Sequence, residues 1–289
     1  MLLPAFEYRR ASSLLQAATV LAENPEARPL AGGTDLLVDL RERRRPARLL
    51  VDISALPEIQ GVGEEGGRLR IGSGTTVGGL LASSLVAARA PALHRAAHDF
   101  ADYLTRNKAT LGGNVANASP GADLVVPLLA LDAEVTLAGP SGGRTLPLDA
   151  FLLGPRQTVL GPGELVRSVT LPPAGGGQGW YKLGLKRGGA IAVVSVATRV
   201  DVDREGRCRS ARIALGAVGP RPFRPAEAEA ALTGQPFTPA QVARAAELAA
   251  SAARPISDVR GQADYRKAMV RVLVARALTL AGDTATRGR

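Results

Sequence analysis

The sequence is poor in the residues that do chemistry on their own. It holds one cysteine, Cys208, which excludes an internal disulfide and any multi-cysteine metal or iron–sulfur site built by this chain alone. Its two histidines, His94 and His98, stand four apart on an expected helix. That spacing can hold zinc, but the glutamate of a His-Glu-x-x-His site is missing and so is a third ligand, so both read as ordinary helix residues. Aromatics are scarce: one Trp, four Tyr and five Phe. None is interleaved with the basic clusters as a stacking platform requires. The net charge of +10, from 36 basic and 26 acidic residues, therefore leaves nucleic-acid binding a minor reading. Only Lys108, Lys182, Lys186 and Lys267 are lysines, and the arginines cluster locally at 41–48 and 204–212. No stretch of about 18 apolar residues lacks charges, which argues against membrane insertion. The segment Met1–Glu7 has no basic stretch leading a long apolar run. It does not read as a signal peptide, and the expected location is cytoplasmic.

What the sequence has is glycine in two telling places. The first stretch is Arg28-Pro29-Leu30-Ala31-Gly32-Gly33-Thr34-Asp35, followed by the apolar Leu36-Leu37. Strand, glycine turn, helix is a way of presenting backbone N–H groups to a phosphate. The second stretch runs from Asn107-Lys108-Ala109-Thr110-Leu111-Gly112-Gly113-Asn114 to Asn117, Ser119 and Asp123, just before an apolar helix. Without a Cβ, glycine lets an anion approach the backbone, so a pyrophosphate suits such a loop. Thr110, Asn114, Asn117 and Ser119 add neutral donors and acceptors, and Asp123 can accept from sugar or ribityl hydroxyls. A single Gly-Gly pair is first of all a tight turn; two such stretches together carry the argument. Neither has the Gly-Lys-Ser/Thr of a P-loop or the Gly-x-Gly-x-x-Gly of a Rossmann turn.

Length favours two domains. Residues 4–10 read as a strand, and Ser12 or Ser13 caps a helix that Asn24-Pro25 stops. Strands are expected at 30–31 and 49–53, a short helix at 36–40, and a solvated connection at Arg41–Arg48. A hairpin is expected at 61–71, helices from 75 to 81 and 90 to 101, an apolar helix at 124–131, a strand at 133–137 turning at Ser141–Arg144, and a strand at 163–172. The glycine-rich 174–179 is the best linker. Beyond it come a three-stranded antiparallel meander over 180–218 and helices near 225–233, 239–252 and 263–281, with a frayed end from 283. No nucleophile–base pair, paired carboxylates or metal cluster is visible, so the chain reads as the holder of a cofactor that carries the chemistry.

Ala31-Gly32-Gly33-Thr34-Asp35-Leu36-Leu37 and Arg106-Asn107-x-Ala109-Thr110-Leu111-Gly112-Gly113-Asn114-x-x-x-Ala118-Ser119-Pro120-x-x-Asp123 resemble the FAD-binding medium subunits of the molybdenum hydroxylases. That group includes the flavin subunits of carbon monoxide and xanthine dehydrogenases. Weaker similarity runs over nearly the whole chain. The resemblance implies an α+β protein: a two-lobed FAD-binding domain of the vanillyl-alcohol-oxidase-like type over residues 1–176, with FAD between an open parallel piece and a mixed sheet. A smaller α+β domain would follow over 177–289. It implies that Arg28 to Asp35 wrap the pyrophosphate and that the span Lys108 to Asn114 completes the cradle. Asn117 would face the flavin or its phosphates, and Asp123 the ribityl or adenosine hydroxyls. Phe100 falls at the adenine-stacking position, although a core phenylalanine accounts for it equally. Leu165 or Val166 touches the adenine side, and Lys182 falls near the flavin, where a cation stabilises the reduced anion. Lys186 and Arg187 are weaker candidates for the acceptor side.

The implied function is electron transfer within a complex, with a dimer of heterotrimers as the implied assembly. A large molybdopterin subunit would oxidise the substrate. A small 2Fe-2S subunit would pass electrons to this FAD, and NAD+, a quinone or another acceptor would take them. The single cysteine accords with clusters held elsewhere. There are two departures: Gly188-Gly189-Ala190 replaces an acidic residue common in relatives, which bears on the terminal acceptor, and Tyr103-Leu104-Thr105, ahead of Arg106-Asn107, replaces small polar ones. The cysteine-rich insertion of some relatives is absent. The alternatives are a free-standing flavin oxidase or dehydrogenase of the same fold, and a basic nucleic-acid-binding protein.

Overall fold

The computed structural model describes residues 2–173, 175–186 and 189–287. Ala174, in the expected linker, and Arg187 and Gly188, on the expected acceptor side, lie outside the described residues.

The chain opens with strand β1 (Glu7–Arg10), helix α1 (Leu14–Glu23), β2 (Ala27–Leu30), α2 (Leu36–Arg41) and β3 (Leu49–Asp52). The three strands form a parallel sheet in the order β1-β3-β2. Ser13 caps α1, its Oγ accepting from Gln16 N at 3.1 Å. β3 is buried along its whole length, Asp52 included, as befits the central strand of a parallel sheet.

A second lobe follows a 3₁₀ turn at Pro57–Ile59. It contains β4 (Val62–Glu65), β5 (Arg68–Gly72) and five short helices: α3 (Val77–Ala82), α4 (Ser84–Arg89), α5 (Pro91–His98), α6 (Tyr103–Arg106) and α7 (Leu111–Asn117). Then come α8 (Val125–Ala130), β6 (Glu134–Gly139), β7 (Gly142–Pro147), α9 (Leu148–Phe151), the short pair β8 (Leu152–Gly154) and β9 (Gln157–Thr158), and β10 (Leu165–Leu171). The five-stranded sheet has the order β4-β5-β10-β6-β7. Every neighbouring pair in it is antiparallel, not mixed as expected.

The last block is the meander β11 (Gly177–Gly184), β12 (Ala192–Val202) and β13 (Cys208–Gly216), followed by α10 (Ala226–Leu232), α11 (Pro239–Ala252) and α12 (Ala263–Arg287). β12 is buried on both faces over Ala192–Thr198, because α12 covers one side and α8 of the second lobe also packs on the sheet.

Several expectations are corrected. The second glycine stretch is not a loop from 110 to 117 but helix α7, started by Thr110. The expected helix at 90–101 ends at His98, and α4 and α6 flank it. Gly142–Arg144 belong to strand β7 and not to its turn. Gly177–Gly179 are strand residues, not linker. α12 extends to Arg287, past the expected fraying point. Among the described residues no helix is long and apolar enough to cross a membrane.

Candidate functional site

The two glycine stretches meet. After β2, Gly33 adopts φ +72°, which turns the chain into α2. A Cβ on Gly32 would overlap the Lys108 carbonyl and stand 3.1 Å from Ala109 Cα. Glycine at 32 is thus what lets the backbones of the two stretches touch. Among the described residues, no protein acceptor takes the N–H groups of Gly32, Gly33, Thr34 or Asp35. Four successive open donors after a glycine turn are the arrangement an anion occupies.

The second pair does a different job. Gly112 N donates to Ser73 O at 2.8 Å, Leu111 N to Thr75 O at 2.9 Å, and Gly113 N to Thr110 Oγ1 at 3.0 Å. These N–H groups are engaged within the protein, contrary to a directly exposed anion loop. A Cβ on Gly112 would meet Ser73 backbone and side chain within 3 Å, so this glycine allows close packing of α7 on the preceding turn. Asn114 Oδ1 accepts from Leu124 N at 3.2 Å, which ties α7 to the start of α8.

Between the lobes lies a cleft of about 590 Å³, within the usual range of small-molecule sites. Arg28, Pro29, Ala31, Gly32, Gly33, Thr34 and Asp35 line one wall. Phe100, Ala109, Thr110, Gly112, Gly113, Asn114, Asn117, Leu165 and Val166 are also part of the lining. Asn117 Oδ1 is buried without a hydrogen-bond partner. Ile53, Ile59, Leu160 and Leu165 give the cleft apolar walls. Phe100 lines the cleft and also packs against the main core.

Other residues named from the sequence lie outside this lining. Leu30 packs with Leu36, Leu37, Leu40 and Leu50, Leu111 is fully buried in the core, and the Lys108 side chain is exposed. Asp123 and Lys182 pair with each other: Lys182 Nζ is 2.5 Å from Asp123 Oδ2 and donates to Asp99 O at 3.0 Å. Trp180 Nε1 holds the Asp99 carboxylate at 2.9 Å. Burial pushes the Asp123 carboxyl up to about 6, against the attraction of Lys182. Its Oδ1 is buried and unpartnered. Lys186 is exposed.

The sequence reading missed three arginines. Arg44, Arg45 and Arg156 line the cleft and converge on Asp39, which is 2 % exposed. The run at 41–48 is therefore no simple solvated connection. Its basic density was visible. What was not visible is that α2 buries Asp39 beside it, or that Arg156 arrives from 117 positions away.

Comparison with known proteins agrees with this geometry. Residues 4–174 match the family described as the FAD binding domain in molybdopterin dehydrogenase, and residues 180–281 match the CO dehydrogenase flavoprotein C-terminal domain. The carbon monoxide dehydrogenase medium chain of Hydrogenophaga pseudoflava is 37% identical over 284 residues, covering 97% of this chain and 98% of the relative. The xanthine dehydrogenase FAD-binding subunit of Escherichia coli O157:H7 is 32% identical over 283 residues, covering 95% and 97%. In structure, the chain superposes with a TM-score of 0.94 and 38% identity on a chain of the H. pseudoflava carbon monoxide dehydrogenase lacking the Mo-pyranopterin moiety, covering 98% and 99%.

Proposed function

This chain belongs to the FAD-binding flavoprotein, or medium, subunits of the molybdenum hydroxylases, and from that premise we propose that it relays electrons between a partner's iron–sulfur clusters and an external acceptor. FAD, when bound, would supply the redox chemistry; the electrons would come from 2Fe-2S clusters of a small subunit and leave for NAD+, a quinone or another acceptor. Substrate oxidation belongs to a large molybdopterin subunit, in an assembly that we take to be a dimer of heterotrimers in the cytoplasm. Relatives are named for substrates as unlike as carbon monoxide and xanthine, in keeping with substrate choice outside this chain. We further propose residues 1–176 as the FAD-binding domain and 177–289 as the C-terminal domain.

The observation that carries this reading is the convergence of both glycine stretches on one cleft. The residues present fit the cofactor. The open N–H groups of Gly32 to Asp35 would hold the pyrophosphate. Ile53, Ile59, Phe100, Leu165 and Val166 would exclude water from the rings. Asn117 Oδ1, buried and unpartnered, would gain a donor. Thr110 would act indirectly, by capping α7. Lys182, held by Asp99 and Asp123 behind the lining, would act on the cofactor through the field of that pair and not as a free cation.

Among the described residues lining the cleft, the ionisable groups are four arginines and Asp35. That set is poor for proton transfer to a substrate, which favours an electron relay over a free-standing oxidase. The purified chain, mixed with FAD and desalted, is expected to keep flavin absorbance at about one FAD per chain, the cofactor itself carrying the chromophore. Colourless protein, both alone and with the partner subunits present, would overturn the reading.

A further inference from the structure

One buried carboxylate stands behind the cleft wall with more cations around it than it needs. Arg156 Nη1 donates to Asp39 Oδ2 at 2.7 Å, while Arg45 Nε lies 3.4 Å from Oδ2 and Arg44 Nε 3.5 Å from Oδ1. Arg44 and Arg45 follow α2 in the parallel lobe. Arg156 comes from the turn between β8 and β9 in the other lobe, at φ +58°, and its N–H donates to Ala118 O at the end of α7. The Asp39–Arg156 pair therefore joins the two walls of the cleft.

A single guanidinium would neutralise Asp39, and each further one adds repulsion among like charges. Arg28, Arg44, Arg45 and Arg156 face the cleft; against them stand Asp35 and Asp39, with Glu42 pairing Arg44. The wall stays net positive, and its three clustered guanidinium groups remain one-third to one-half exposed. Guanidinium forks match phosphate oxygens in shape and charge. A diphosphate carries two negative charges and would relieve the repulsion.

We infer that Arg44, Arg45 and Arg156, fanned out by Asp39, form an anion clasp that grips the diphosphate of the dinucleotide from both lobes. Asp39 is a positioning residue: it fixes where the guanidinium groups point and does not touch the ligand. The inference rests on the flavin-dinucleotide reading of the cleft and adds a second element to the open N–H groups of the first glycine turn.

The test titrates the flavin-free full chain with FAD, with riboflavin, which lacks phosphate, and with ADP, which carries the diphosphate but no flavin. The variants are Arg45→Gln/Arg156→Gln and, as control, Arg48→Gln, whose guanidinium pairs with Glu26 outside the cleft. The double variant is expected to lose about ten- to a hundredfold in affinity for both FAD and ADP. Its riboflavin affinity should stay within twofold, its salt dependence for FAD should be shallower, and the control should match the unaltered chain. FAD and ADP affinities unchanged in the double variant would overturn the clasp. So would an equal loss for riboflavin, which would mean that the whole cleft had collapsed. An unaltered chain that binds none of the three overturns the flavin reading itself, and the clasp with it.

Discussion

Lys182 and Asp123 lie 59 positions apart and meet with side chains that are 6% and 10% exposed. Burial of the Asp123 carboxyl outweighs the attraction of Lys182 and holds it up at about 6 instead of the ordinary 3.8. Between those values the folded chain holds a proton that the unfolded chain has lost. This group's stabilising contribution is therefore full below the ordinary carboxylate value and is lost as the pH rises through about 6. Lys182→Met should push the carboxyl higher still by removing its cation. The variant is expected to be destabilised by about 3 kcal/mol at pH 8, where an unpaired carboxylate must be buried or protonated, and by clearly less at pH 5. Urea unfolding at the two pH values measures the difference; an equal loss at both would refute the account. Each of the two residues stood out in the sequence as a separate ligand candidate. Their pairing did not, because periodicity and motif spacing report neighbours along the chain and carry no information on contacts between β11 and the segment before α8.

At the scale of elements, glycine misled where it served packing. The run from 174 to 179 has the composition of a flexible linker, yet β11 begins at Gly177, and a Cβ on Gly179 would overlap the Ala277 carbonyl of α12. The glycines let a long helix lie directly on the strand backbone. Gly175 is different, with nothing within 4 Å of its would-be Cβ. Gly179→Ala is expected to cost about 1–3 kcal/mol by forcing α12 off the sheet. Gly175→Ala should be neutral or stabilise by about 0.4–1 kcal/mol through the unfolded chain. Thermal melts of the two variants would separate them, and similar melting temperatures would restore the linker reading. The same physics explains α7. Two glycines near a helix start cost about 1 kcal/mol each in propensity, so the sequence reads as a loop. The Thr110 cap and the bond from Gly112 N to Ser73 O hold the helix anyway. Where apolar periodicity was unbroken, as in α1, α8, the meander and α11, the elements were legible with errors of only a few residues at their ends.

Across the whole molecule, the last block has a buried core of its own, yet it also joins the core of the second lobe. Trp180, Ala197 and Ala214 belong to the same buried cluster as Leu124, Leu128 and Phe151 of the second lobe. Asp132, just after α8, receives Arg212 at 2.9 Å and Arg224 at 2.5 Å from the last block. Ala217 N donates to Pro120 O at 2.7 Å, directly beside the segment that carries Asp123. Arg266 of α12, fully buried, donates to the carbonyls of Val193 at 3.2 Å, Ile256 at 2.7 Å and Ala217, and so braces the strand end that meets Pro120. Cutting at residue 176 would strip the Lys182 partner from Asp123, leave Asp132 without its arginines and open the core beside α8. Uncompensated buried charge and exposed apolar surface are each destabilising on the scale of a whole domain's stability. The full chain without cofactor is therefore expected to unfold in one calorimetric transition, with van't Hoff and calorimetric enthalpies agreeing. The fragment 1–176 is expected to lack a cooperative melt and to retain no FAD. Two resolved transitions, with the fragment melting at the temperature of one of them, would mean that the blocks are independent. The last block would then be dispensable for cofactor binding, and Lys182 would have no part in setting the cleft's potential.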